Sequence, residues 1–241
     1  VPVPKLALLA LLPAAAHATC AIAVWTPESI ILGADSKETF LSPDQGQSSY
    51  YECKLRQIGP YYVVVAGVMH HRRSGFNVWE ILAQSVARTN SVTEAAEAAS
   101  VEIARRYAEV LRSAREEASP EYLGRLKNNS PDFAIAGFSG GRPYVAHYEY
   151  DRVRGAWTWR KRIYGRSPEA GSMDYTYLCD PNGIEAYKRR HPQWRTEDPL
   201  KTVAGMIAAT ARVDSSEVGG PTALLVVDAN GPRWESAGTC R

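Results

Sequence analysis

The hydrophobic period of this chain changes in blocks, and that restricts the folds open to it. Residues 21–24 and 30–33 are short β-like runs joined by Trp25-Thr26-Pro27-Glu28-Ser29, a hairpin connection. Residues 54–58 and 62–66 form a second strand pair around Gly59-Pro60, a strong turn signal. The polar stretch 42–51 between the pairs reads as a loop. The period then becomes helical. Val78, Ile81, Leu82 and Val86 repeat at helical spacing across 77–88. Ser91-Val92-Thr93-Glu94 is a capping-box signature opening a second helix. That helix places Val92, Ala96, Ala99, Ile103, Tyr107 and Val110 on one face and ends near Ser119-Pro120. Strands are expected again at 132–137, 142–150 and 157–164. Helices follow at 184–190 and 199–212, the second with Pro199 near its start. A final strand pair at 223–228 and 233–236 closes on Ala229-Asn230-Gly231. Strands grouped apart from helices indicate an α+β architecture, with packed sheets and helices outside.

The first eighteen residues have a different character. Lys5 is followed by an uncharged Leu/Ala-rich run, and Ala16-His17-Ala18 supplies small residues at a cleavage site. This pattern is that of a secretory signal peptide, residues 1–18, cut after Ala18. It is too short for a bilayer span of about 20 residues. The remainder, 19–241, is the size of one larger domain or two small ones and is expected to be secreted or periplasmic. A net charge of +2 gives no sign of a nucleic-acid partner or, after cleavage, of a membrane one. Four cysteines, Cys20, Cys53, Cys179 and Cys240, favour disulfides in an exported chain, with three connectivities open.

A cut after Ala18 leaves Thr19 with a free α-amine. One residue then carries a hydroxyl nucleophile and its own general base. A cut one residue later instead exposes Cys20, the rival nucleophile.

Several short motifs carry a resemblance. Thr19 precedes a β-run and a turn, then Ile30-Ile31-Leu32-Gly33-Ala34-Asp35-Ser36-Lys37. Lys54 stands before Leu55-Arg56-Gln57-Ile58, and Val64-Val65-Ala66-Gly67 ends a strand. Ala170-Gly171-Ser172-Met173 and Arg212-Val213-Asp214-Ser215-Ser216 come later, the second followed by Gly219-Gly220. In this order and spacing they resemble catalytic proteasome β-type subunits of the N-terminal nucleophile hydrolases. The match departs from that family at Ala18, where a glycine precedes the threonine, and at Met173 and Glu217-Val218.

The resemblance implies a four-layer αββα sandwich. It also implies a threonine-type peptidase or amidohydrolase that cleaves a peptide or small amide through an acyl-enzyme. Its site residues would be Thr19, Asp35, Lys54, Gly67, Ser172, Asp214 and Ser216. Lys54 would lower the α-amine pKa, Asp35 would hold Lys54 charged, and the Gly67 N–H would meet the oxyanion. No metal or organic cofactor is called for. By family position Val65 and Met69 line a substrate pocket, with ordinary core packing as the alternative. Family members stack in rings, so a homo-oligomer is admitted. Two other functions stay open: a catalytically silent assembly or binding subunit, and an N-terminal cysteine hydrolase using Cys20. If Thr19 and Lys54 meet, side-chain alternation puts Cys20 and Cys53 on the opposite face. The expected disulfides are then Cys20–Cys53 and Cys179–Cys240. His70-His71 with Arg72-Arg73 is expected to be a solvated loop, because adjacent histidines rarely converge on one ion.

Overall fold

A computed structural model describes residues 19–42, 46–117, 120–153, 156–164 and 168–240. The expected leader, 1–18, lies outside these. The chain is an α+β protein. It begins with β1 (Ala21–Trp25), β2 (Ile30–Ala34), β3 (Lys37–Ser42), β4 (Gly46–Tyr51), β5 (Leu55–Ile58) and β6 (Tyr61–Ala66). The short β7 (His70–His71) and β8 (Phe76–Asn77) precede α1 (Val78–Ala87), α2 (Val92–Glu117) and α3 (Pro120–Asn128). Then come β9 (Asp132–Ser139), β10 (Arg142–Val153), β11 (Ala156–Tyr164) and β12 (Asp174–Leu178). The chain finishes with α4 (Pro181–Arg190), α5 (Pro199–Val213), β13 (Ala223–Asp228) and β14 (Gly231–Ser236).

Two five-stranded sheets carry the fold, in the orders β12-β1-β2-β13-β14 and β11-β10-β9-β6-β5. Every pairing within them is antiparallel. Alternation sorts the side chains of β1. Ala21, Ala23 and Trp25 join an apolar cluster that also contains Leu55, Val64, Ala134 and Val145 of the second sheet. Ile22 and Val24 join a cluster with Ile184 of α4 and Val203, Met206 and Ile207 of α5. A third cluster packs Val63, Val65, Phe133 and Ile135 against α1 and α2. Each fully buried Val or Ile side chain contributes about 1.5–3 kcal/mol. Gly33 lets α5 approach β2, since a Cβ there would lie 2.3 Å from Val203 Cγ1.

Local signals account for the helix starts. The Asn77 side chain accepts from the Trp79 and Glu80 amides and opens α1. Ser91 Oγ accepts from the Glu94 amide at 3.2 Å, the serine half of the expected capping box. The Glu94 carboxylate, however, takes the Asn90 amide, one residue upstream of the box position. Asp180 and Asp198 cap α4 and α5, each with proline just inside.

Three expectations change. Part of the stretch 42–51, read as a loop, is strand: Lys37 pairs with Tyr51 and Glu38 with Tyr50 in a separate two-stranded ribbon. Strands rich in Ser, Thr, Gln and charged residues lack the apolar alternation by which strands are recognised. Helix α2 ends at Glu117, close to the expected Ser119-Pro120, but a further helix not read from the sequence, α3, starts at Pro120, which is tolerated in a first helical turn. The strand β12, missed before α4, pairs along the outer edge of β1.

The disulfides are Cys20–Cys179 and Cys53–Cys240, not Cys20–Cys53 and Cys179–Cys240. The register Ala21↔Leu178 places Cys20 across from Cys179, and both lie in the α4–α5 cluster. Cys240 packs against the cluster shared by the two sheets. Two disulfides are consistent with an oxidising compartment. No helix among the described residues is long and apolar enough to cross a membrane.

Candidate active site

Asp35 leaves the end of β2 and is 1% exposed. Its Oδ1 accepts from the Cys20 amide at 2.9 Å and from Lys54 Nζ at 2.9 Å. Its Oδ2 accepts from the Gly219 amide at 2.9 Å and the Lys37 amide at 3.3 Å. The Asp35 amide donates back to the Cys20 carbonyl at 2.9 Å. Asp35 is therefore clamped to the residue that follows Thr19.

Lys54 comes just before β5 and has no exposed surface. Besides Asp35, its ammonium donates to the Lys37 carbonyl. Burial pushes the Lys54 pKa below the usual lysine value, against the opposing pull of Asp35, Glu38 and Glu52. The flanking Cys53–Cys240 disulfide and the bond from the Val65 amide to the Lys54 carbonyl, 3.1 Å, fix its backbone. Lys54 Nζ and the amide linking Thr19 to Cys20 thus meet on one carboxylate oxygen.

Thr19 is buried. Carrying the β1 alternation back through Cys20 assigns it to the Ala21 side, whose residues pack with Leu55 and Val64. Cys20 lies on the other side, with its sulfur in a disulfide.

Gly67 follows β6 with φ 75°, and a Cβ there would stand 2.0 Å from the Ser130 carbonyl oxygen. The neighbouring Val68 amide donates to Asn129 at 2.8 Å. The turn is thereby pressed onto the segment before β9, in a backbone conformation that favours glycine.

The remaining candidates sit differently. Ser172 Oγ bonds to the Glu169 carbonyl of its own turn at 2.8 Å. Asp214 caps the end of α5, and Ser216 Oγ donates to it at 2.8 Å. The backbone of this segment reaches the centre instead: Ser215 O accepts from Lys37 Nζ at 2.9 Å, and Gly219 binds Asp35. Val65 and Met69 are wholly buried in the cluster under α1 and α2, the core-packing alternative.

A group that sequence reasoning missed lies beside Lys54. Glu52 Oε1 bonds to His70 Nε2 at 3.1 Å, and Arg56 Nη2 lies 3.4 Å away. Tyr50 donates its hydroxyl to Glu52 Oε2 at 3.4 Å. Glu38 stands opposite Tyr50 in the ribbon, and burial first, then the Glu52 carboxylate, push its carboxyl up to about 7. His70 is therefore half-buried and bonded, not part of a solvated loop. Among the described residues no three His, Cys, Asp or Glu side chains converge as a metal site.

A scan against protein-family models and a search of curated protein sequences both return no match to this chain.

Proposed function

We propose that this chain is an exported N-terminal threonine hydrolase, cleaving a peptide or small amide through an acyl-enzyme on Thr19. The observation that carries the reading is the buried Lys54–Asp35 pair, joined through Asp35 Oδ1 to the amide that follows Thr19. A four-layer αββα sandwich accords with two antiparallel sheets sharing one apolar cluster and each packing with its own helices. The two disulfides support export.

After a cut at Ala18, the Thr19 α-amine has a reference pKa of about 7.7–8.0 and is partly neutral near pH 7. A Lys54 ammonium nearby disfavours a second positive charge and keeps that amine available as a base. The amine takes the hydroxyl proton as the oxygen attacks the amide carbon. It then returns the proton to the leaving nitrogen, and water releases the acyl group by the same path in reverse. Asp35 holds the Lys54 ammonium oriented. The Gly67 N–H is the proposed oxyanion donor, a role worth about 100- to 1000-fold in turnover. With Cys20 in a buried disulfide, its thiol is engaged, and this favours Thr19 over the cysteine reading.

A catalytically silent assembly subunit is the second reading, and the burial of Thr19 is the observation that favours it. N-terminal mass spectrometry of the exported protein, followed by labelling with a peptidyl epoxyketone, separates the two. That probe closes a ring on both the hydroxyl and the amine of an N-terminal threonine. The expected result is a chain beginning at Thr19 that takes up one label, and no label in Thr19→Ala. An N-terminus at Cys20 or upstream of Thr19 defeats the reading. A Thr19 terminus that never labels identifies the silent form.

A further inference from the structure

We propose that the Cys53–Cys240 disulfide is a reducible lock on Lys54: closed, it positions the lysine for Thr19, and opened by a dithiol reductant it releases segment 237–240 and slows the reaction. The proposal rests on the Thr19 reading for its catalytic meaning.

Each disulfide adjoins one half of the candidate site. Cys20 follows Thr19, and Cys53 precedes Lys54. The two bonds differ in access. Cys20 and Cys179 are buried in the α4–α5 cluster, so the anchor behind Thr19 is shielded. Cys53 and Cys240 are half-buried. Cys240 also lines an open cavity of about 740 Å3, together with Trp234, Glu235, Ser236, Ala237 and Gly238. The cavity gives a small thiol a path to Cys240, and access is one of the controls on disulfide exchange.

The lock acts on a short stretch of backbone. The Glu52 amide donates to the Ser36 carbonyl at 2.8 Å, and the Lys54 carbonyl accepts from the Val65 amide at 3.1 Å. Cys53, between them, is held by its bond to Cys240. The stretch delivers the Lys54 side chain to Asp35, where Nζ donates to Oδ1 at 2.9 Å. Loss of the middle fixing point lets this stretch shift, and catalysis by positioned groups is sensitive to displacements of about 1 Å.

The segment on the other side of the bond is poised to leave. Ser236 Oγ, at the end of β14, donates to the Thr222 carbonyl at 2.8 Å. Beyond it, the Cys240 amide turns back onto the Ala237 carbonyl at 2.7 Å, a bond within the segment itself. Thr239 Oγ1 is buried without a hydrogen-bond partner. A buried unpaired hydroxyl carries a desolvation cost, which water removes once the segment swings out. The disulfide thus restrains a segment whose own polar group favours release.

In the exchange, a thiolate of the reductant attacks Cys240 Sγ, and Cys53 leaves as a thiolate and takes up a proton. The second thiol of the reductant then attacks the mixed disulfide and frees Cys240. Two electrons and two protons pass to the cysteine pair, and the reductant departs as its own disulfide.

The test uses the chain beginning at Thr19, treated with graded dithiothreitol, with freed thiols alkylated and mapped by mass spectrometry. Cys53 and Cys240 are expected to open while Cys20–Cys179 stays closed. At that stage epoxyketone labelling of Thr19 slows about tenfold or more, and reoxidation restores it. C53S/C240S labels at the slow rate with or without dithiothreitol. NMR of 13Cε-labelled lysine reads the lock without turnover: the Lys54 signal moves or broadens on reduction, while those of Lys188 and Lys201, on α4 and α5, stay in place. In a protein that labels, an unchanged rate after the bond opens overturns the proposal, and so does an unchanged Lys54 signal. Simultaneous opening of both disulfides overturns it too, as does loss of near-UV circular dichroism on reduction, because the bond then holds the whole fold rather than Lys54. If Thr19 never labels, the hydrolase reading falls, and movement of the Lys54 signal still supports the lock on the lysine.

Discussion

Asp35 accepts from three amides and one ammonium, so its charge is spread over donors from four places in the chain. Removing the ammonium alone leaves a buried carboxylate with its three N–H bonds. Breaking one partner of a buried pair costs about 3–5 kcal/mol, and the remaining amides put Lys54→Met near the lower end, about 3 kcal/mol. Urea unfolding of the disulfide-intact protein measures this. A change under about 1 kcal/mol contradicts the buried pairing. Asp35 and Lys54 were legible because their distances from Thr19 follow a known pattern. Glu52 and His70 were not. They meet only in the folded chain, and no local spacing relates residues 52 and 70.

At the scale of elements, the Gly67 turn is the least forgiving. A methyl group there meets a backbone carbonyl oxygen, which has no rotamer to move, and φ 75° itself disfavours a side chain. Gly67→Ala is expected to lose about 3 kcal/mol or more. That is a fall in melting temperature of roughly 6 °C or more for a chain of this size, by calorimetry. Equal melting of variant and wild type rules out the close approach. The longer elements could be read from the sequence because their period was strong: α1, α2, α4 and α5 show apolar stripes, and β1, β2 and β6 are apolar runs. The ribbon, α3 and β12 could not. The ribbon is polar, α3 begins at a proline that also reads as a stop, and β12 is a strand of five residues in a turn-rich stretch. For α3 and β12 contact with α2 and β1 decides, and that information is not in their own residues.

The whole molecule is defined by which strands are neighbours, and there the sequence was least informative. Alternation correctly sets Cys20 away from the Ala21 side, but the choice of its partner depends on β12 lying beside β1, 159 residues from Cys20 to Cys179. Closing loops this long constrains the unfolded chain, and loss of either disulfide is expected to cost about 2–5 kcal/mol. Paired serine variants, C20S/C179S and C53S/C240S, test this by guanidinium unfolding without reductant. A pair that unfolds at the wild-type midpoint shows that its bond adds no stability. The two bonds should differ in a second respect. Cys20 and Cys179 are buried and Cys53 and Cys240 partly exposed, so a water-soluble reductant opens the latter first.

The two cross-links overlap along the chain, one from Cys20 to Cys179 and the other from Cys53 to Cys240. Every peptide bond between Cys20 and Cys240 therefore lies inside at least one covalent loop. A single nick by a foreign protease at an exposed turn leaves one molecule rather than two. The fragment that carries Thr19 stays tethered to the one that supplies Lys54. Among the hydrolases of an extracellular setting, such a chain can be cut once and still keep its parts together.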